Sequence, residues 1–142
     1  MSQPGMEKRR QQPRLLVVDD NEPGRTALSR LLGEAGYDVE TATDAQEALQ
    51  LSQMVRWDGV VLDIDLPGGN GVELYVRILS HSGNRRLPVL FLTGQPNPML
   101  GLSLHYAPWA RLVLKPCDPP QLLATLEDCL RKGGPAVPTS GN

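Results

Sequence analysis

The sequence predicts a doubly wound α/β domain, a parallel sheet with helices on both faces. Three observations carry the prediction. Short runs rich in Val and Leu recur along the chain and are apolar throughout, as strands buried on both faces are. Between them lie stretches with apolar residues at helical spacing. The length, 142 residues, suits one domain with tails and is enough to bury a core. Strands alternating with helices in this way read as a succession of βαβ units.

The elements follow in order. Leu15-Leu16-Val17-Val18 is a compact buried strand that ends in Asp19-Asp20. Pro23 sits where a first helical turn tolerates it, and Ala27, Leu28, Leu31, Leu32 and Ala35 repeat at helical spacing before Gly36 stops the helix. Val39 to Thr43 alternates as a strand. Asp44-Ala45-Gln46-Glu47 is a capping box, and Ala48, Leu49 and Met54 are expected on one face of the helix it opens. Gly59 to Leu62 forms a third strand ending at Asp63. The turn cluster Gly68-Gly69-Asn70-Gly71 leads into a helix whose apolar set is Leu74, Tyr75, Ile78 and Leu79. Pro88 to Leu92 is a fourth strand ending at Thr93, and Leu112-Val113-Leu114 a short fifth ending at Lys115-Pro116. Between these two, Pro96, Pro98, Gly101 and Pro108 leave room only for a short or bent fourth helix at Met99–Tyr106. Pro119 opens a fifth helix carrying Leu122, Leu123, Leu126, Cys129 and Leu130.

The domain spans residues 14–132. Residues 1–13 and 133–142 are polar, rich in Pro and Gly, and without periodicity, and read as disordered tails. The run Lys8-Arg9-Arg10 belongs to the first of them and reads as a solvated stretch. A formal charge of −2, from 14 basic and 16 acidic residues, excludes nucleic-acid binding driven by bulk charge. No apolar run reaches the ~18–20 residues of a membrane span, and no apolar stretch follows the basic start, so no secretory signal is expected. Cys117 and Cys129 lack zinc-ligand spacing and read as reduced thiols of a cytoplasmic protein.

The chemistry collects where the strands stop. Asp19, Asp20, Asp63, Thr93 and Lys115 each end an apolar strand, and in a parallel sheet these ends share one edge, where ligands bind. Each alone is ordinary: an Asp after a strand often caps the next helix, and a Lys before Pro is often a surface charge. Four strand ends with phosphate- or metal-compatible groups are harder to attribute to separate accidents. Two carboxylates ~4 Å apart repel by about 4 kcal/mol at an effective dielectric near 20. Either some of these carboxyls hold their protons to higher pH or cations occupy the site; Lys115 supplies a single positive charge, a divalent cation would supply the rest, and an all-oxygen ligand set points to Mg²⁺. Carboxylates with a cation, an ammonium and a hydroxyl opposite make a site for a phosphoryl group, with a carboxylate as nucleophile.

With these residues the sequence resembles the receiver domain of the two-component response-regulator family over residues 14–132. The motifs are Leu-Leu-Val-Val-Asp19-Asp20-Asn21, then Val-Val-Leu-Asp63-Ile-Asp65-Leu-Pro67-Gly-Gly-Asn70-Gly71, then Phe-Leu-Thr93-Gly94, then Val-Leu-Lys115-Pro116. The resemblance implies a five-stranded parallel sheet of order 2-1-3-4-5, the flavodoxin-like arrangement. It implies that Asp63 is the phospho-acceptor and that Asp20 and Asp63 bind Mg²⁺ directly. Asp19 then lies in the metal shell, and the backbone carbonyl of Asp65 completes the protein ligands. Thr93 matches the switch hydroxyl and Lys115 the ammonium that contacts the phosphoryl group, with a cis peptide usual at Lys115-Pro116. The phosphoryl group would come from a phosphohistidine on a sensor histidine kinase or histidine phosphotransfer protein. A single-domain signalling protein results, which modifies and resets itself but turns over no separate substrate. Its output would pass through another protein, or the chain is part of a longer one. Output or homodimerisation is expected on the face of the fourth helix, fifth strand and fifth helix.

Departures from the family pattern are local. The position three before the lysine, commonly aromatic, is Leu112, and Pro108-Trp109 replaces the small pair often found just upstream. Trp109 and Tyr106 are read as packing residues. These departures favour a second reading, a pseudo-receiver that signals without phosphate, against which the intact Asp20, Asp63, Thr93 and Lys115 stand. A third reading takes Asp63-Ile64-Asp65 as the Asp-x-Asp pair of haloacid-dehalogenase-type phosphohydrolases. In those enzymes, however, the acidic pair comes last in the chain, whereas Asp19-Asp20 come first here.

Overall fold

The strands and helices follow the apolar pattern with small shifts at their ends. The computed structural model describes residues 12–67, 70–96, 100, 101, 104 and 107–134. Five strands, β1 (Arg14–Val18), β2 (Asp38–Ala42), β3 (Gly59–Asp63), β4 (Val89–Thr93) and β5 (Ala110–Leu114), pair in parallel in the order β2-β1-β3-β4-β5. The described helices are α1 (Glu22–Glu34), α2 (Ala45–Ser52), α3 (Gly71–Ser82) and α4 (Pro119–Lys132). Of the helix expected at 99–106, Leu100, Gly101 and Leu104 are described, and all three are helical. The remainder of that stretch, Gly68-Gly69 and the tail residues 1–11 and 135–142 lie outside the described residues.

Local chemistry fixes the helix starts. Asn21, Asp44 and Asn70 each accept a hydrogen bond from the amide three residues on, at 2.8 Å. The capping box at Asp44 differs in detail from its expected form: Glu47 reaches back to the amide and hydroxyl of Thr43, one residue before the cap. At the other end of α3, Gly83 adopts the left-handed conformation that closes a helix without steric cost (φ +73°). Two expectations need correction. Met54 lies beyond the end of α2 and is 72% exposed, so it does not continue the buried face. β5 starts at Ala110, two residues earlier than its apolar run, because an edge strand needs burial on one side only and Arg111 stands in solvent.

Alternation along the strands feeds two apolar layers. Leu16, Val18, Val60, Leu62, Val89 and Phe91 face α2 and α3, where Ala48, Leu74, Tyr75 and Ile78 meet them. Leu15, Val17, Val61, Leu90, Leu92 and Val113 face α1 and α4, against Leu28, Leu32, Leu122 and Leu126. Each fully buried Leu, Val or Phe side chain contributes ~1.5–3 kcal/mol of transfer free energy. Tyr75 brings a polar tip into its layer and donates to the Leu87 carbonyl at 2.6 Å, with its ring edge-on to Phe91. Burial pushes its phenol up to about 12. Both cysteines are free, and the wholly buried Cys129 thiol is pushed up to about 11 by the same cause. Trp109 packs against the first layer under the Arg86 guanidinium, 5.1 Å from the ring centroid. Gly133 and Gly134, beyond the boundary drawn at 132, are tied to the domain: the Gly133 amide donates to Cys129, and Asn84 Nδ2 donates to the Gly134 carbonyl at 2.8 Å. No helix among the described residues is long and apolar enough to cross a membrane.

Candidate functional site

The strand order reverses between β1 and β3, β1 running on to β2 on one side and β3 to β4 on the other. A crevice at the carboxyl ends of these strands is the natural ligand position in such a sheet. Asp19 follows β1 with its amide bonded to the Ala42 carbonyl, and Asp63 is the last residue of β3. Both are buried, at 4% and 5% exposure, while Asp20 is exposed. Carboxylate oxygens of Asp19, Asp20 and Asp63 come within 4.8 Å of one another.

Each buried carboxylate has partners of its own. Asp19 Oδ1 accepts the Asn21 amide at 2.9 Å. Asp63 Oδ1 accepts the Asp65 amide at 3.0 Å, and Lys115 Nζ lies 3.4 Å from Asp63 Oδ2. These contacts do not cancel the negative charge. Burial pushes the Asp19 carboxyl above its usual range; the Asn21 amide and Lys115 oppose the shift, and Asp63 and Asp20 add to it. Three oxygen donors converging on unrelieved negative charge fit a hard divalent cation.

Thr93 ends β4 on the same edge, 4% exposed. Its hydroxyl is turned onto its own loop: Oγ1 donates to the Gln95 carbonyl and accepts the Gln95 amide, both at 3.2 Å. Its carbonyl accepts the Lys115 amide at 2.7 Å, and a cis peptide follows at Lys115-Pro116. The structure thus gathers Asp19, Asp20, Asp63 and Lys115 into one cluster and holds Thr93 on the adjacent strand end, with Asp65 attached through its amide and its side chain in solvent.

Three supporting residues escaped the sequence reading. Gly71 starts α3 against β3: a Cβ there would stand 2.5 Å from the Asp63 carbonyl oxygen and 3.0 Å from Ile64 Cα. Its place in a glycine-rich turn was the available signal. On α1, Arg25 donates from Nη1 to the Asp19 carbonyl at 2.9 Å, and Gly24 leaves room for the Asp19 carboxylate. Nothing in the local pattern marks either one. Beside the cluster opens a largely apolar cleft of about 700 Å³, lined by Ala27, Leu31, Pro116, Cys117 and Pro119 together with Asp19 and Lys115 of the cluster.

Comparisons with known proteins bear on the family and the fold. The family described as "Response regulator receiver domain" matches residues 15–127. The chain is 33% identical over 117 residues to the Xanthomonas campestris sensory/regulatory protein RpfC, covering 81% of this chain and 16% of that protein. It is 34% identical over 130 residues to the Bacillus subtilis alkaline phosphatase synthesis transcriptional regulatory protein PhoP, covering 89% of this chain and 52% of the relative. The chain therefore spans at most about half the length of these curated relatives. Among solved structures, Vibrio cholerae chemotaxis protein CheY4 superposes with a TM-score of 0.75 at 33% identity, covering 82% of this chain and 97% of that one. The non-phosphorylated HemR receiver domain of Leptospira biflexa gives 0.74 at 34% identity, covering 84% and 94%.

Proposed function

The chain belongs to the response regulator receiver domain family, and from that premise we propose that Asp63 accepts a phosphoryl group from a phosphohistidine and relays the signal by a change of conformation. Receiver domains are signalling domains of two-component systems. They bind Mg²⁺ at an acidic pocket and are phosphorylated by sensor histidine kinases. The observation that carries the reading for this chain is the buried Asp63 carboxylate, with Lys115 at 3.4 Å and two further carboxylates within 4.8 Å, at the edge where the strand order reverses.

Roles follow from position. Asp63 Oδ2 faces the Lys115 ammonium and is the oxygen placed to attack phosphorus; as its bond to phosphorus forms, the N–P bond to the donor imidazole breaks and the ring leaves. Lys115 sets a positive charge against the incoming oxygens. Asp19, Asp20 and Asp63, with the Asp65 carbonyl, would hold Mg²⁺, which when bound neutralises the charge on the transferring group. The phosphorylated side chain gains nearly two negative charges and three acceptor oxygens. Lys115 and the Thr93 hydroxyl respond to them, the latter by giving up its bonds to Gln95. Hydrolysis of the acyl phosphate resets the domain, so no separate substrate is turned over. The apolar cleft beside the site offers contact area to a protein donor, a histidine kinase or phosphotransfer protein. We place the domain in the cytoplasm, with another protein as its output.

Mass spectrometry after incubation with Mg²⁺ and a small acyl phosphate tests the reading. Wild type should gain about 80 Da, the mass of one phosphoryl group, and Asp63→Asn should gain nothing. An adduct of the same yield on both chains would place the chemistry elsewhere.

A further inference from the structure

Asp19 and Asp20 leave β1 together, yet burial fixes only one of them. Asp19 is enclosed and bonded to the Asn21 amide, whereas Asp20 is exposed, so the direction of its carboxylate depends on the backbone that carries it. That backbone is gripped from α1. Arg25 donates from Nη1 to the Asp19 carbonyl at 2.9 Å, and this carbonyl belongs to the planar peptide that joins Asp19 to Asp20. Holding the carbonyl therefore holds the plane from which Asp20 projects.

The same turn of α1 comes close on a second count. A Cβ on Gly24 would lie 3.3 Å from Asp19 Oδ2 and 3.1 Å from Asn21 Oδ1, so the bare glycine spares a tight contact where the helix approaches the carboxylate. What Arg25 bonds is the Asp19 carbonyl. Its contact is with the main chain.

We infer that Arg25 is a positioning residue for cation binding, which by clamping the Asp19 carbonyl aims the exposed Asp20 carboxylate at the point where Asp19 and Asp63 converge. The inference rests on the reading of these carboxylates as the cation site. Outer partners that orient metal ligands affect affinity by about 10–100-fold, so their loss is measurable without any turnover.

The test uses the full chain, with Mn²⁺ as the probe and the free-ion electron paramagnetic resonance signal as the measure of binding. Arg25→Met should raise the Mn²⁺ dissociation constant about tenfold. Arg25→Lys, which keeps a donor on a different stem, should recover part of the loss and stands in if the Met variant does not fold. Phosphorylation of Asp63 by a small acyl phosphate should slow in Arg25→Met at low cation and return to the wild-type rate at saturating cation, because the attacking groups are untouched. Mn²⁺ affinity equal to wild type in both variants overturns the inference. So does a rate deficit that saturating cation leaves in place, which marks a general structural defect. A wild-type chain that takes up no Mn²⁺ overturns the cation reading itself.

Discussion

Asp19→Asn isolates the charge stored at the sheet edge. The amide keeps the size of the side chain and the oxygen that accepts the Asn21 amide, and it removes one of three carboxylates gathered within 4.8 Å. Two unit charges at that separation repel by ~3.5 kcal/mol at an effective dielectric of about 20. Solvent around the exposed Asp20 and the lost attraction to the part-exposed Lys115 reduce the gain. We expect a net stabilisation of ~1–2 kcal/mol, about 4–8 °C in Tm for a domain of this size. The pH dependence has a definite sign. The native Asp19 carboxyl sits above its ordinary value of 3.8, so its favourable contribution is fully present below that value and is lost as pH rises through the raised one. The variant should therefore match wild type in acid and pull ahead toward neutrality. Mg²⁺ should narrow the gap, since a ligand at ten times its Kd stabilises the form that binds it by about 1.4 kcal/mol. Thermal melts from acid to neutral pH, with and without Mg²⁺, measure both effects. A variant that melts at or below wild type at pH 7 without Mg²⁺, or that gains as much from the cation, would refute the account of the charge.

Gly71→Ala should destabilise by ~2–4 kcal/mol in urea titrations, because its Cβ would press on the Asp63 carbonyl and Ile64 backbone, neither of which can swing aside; phosphorylation of Asp63 should fall with it. Asp44→Ala removes the side-chain cap at the Glu47 amide and should cost about 1 kcal/mol, with no change in Mn²⁺ affinity, since Asp44 is not one of the carboxylates that converge with Asp63.

The fold was legible because its strands are buried on both faces. β1, β3 and β4 must be apolar at nearly every position, and a run such as Val89 to Leu92 stands out from any polar loop. The edge strands were harder to place: β2 alternates and β5 mixes Arg111 with leucines, so their bounds shifted by a residue or two. The candidate site was legible for a related reason. A carboxylate or hydroxyl that ends a wholly apolar strand breaks the pattern, which is how Asp19, Asp63 and Thr93 announced themselves. What the sequence concealed is contact across elements. Arg25 is one arginine on an amphipathic helix until α1 is docked on the sheet, and the tight approach of Gly71 to Asp63 exists only once α3 is packed. Met54 misled because it continues a helical spacing past the point where the helix stops.

Thr93 shows how the resting fold and the proposed switch share one hydroxyl. Its two bonds to Gln95, at 3.2 Å, are both long: the one it donates to the carbonyl exceeds the ~2.7–2.8 Å typical of a hydroxyl donor, and the one it accepts from the amide exceeds the ~2.9–3.0 Å typical of an amide donor. A phosphoryl oxygen on Asp63 would offer a charge-assisted bond roughly twice as strong as a neutral one, so exchanging Gln95 for phosphate is downhill. The family pattern puts an aromatic ring three residues before the lysine to follow that movement, and here the position is Leu112, partly buried against the layer that holds Tyr75 and Phe91. Among the described residues, Tyr75 is committed to the Leu87 carbonyl and Trp109 to the Arg86 guanidinium. The displacement has another path. The Lys115 amide donates to the Thr93 carbonyl at 2.7 Å, so the two residues that would contact the phosphoryl group are joined through their main chains. A pull on either one would be felt at the ends of both β4 and β5, a route for the proposed change that needs no moving ring.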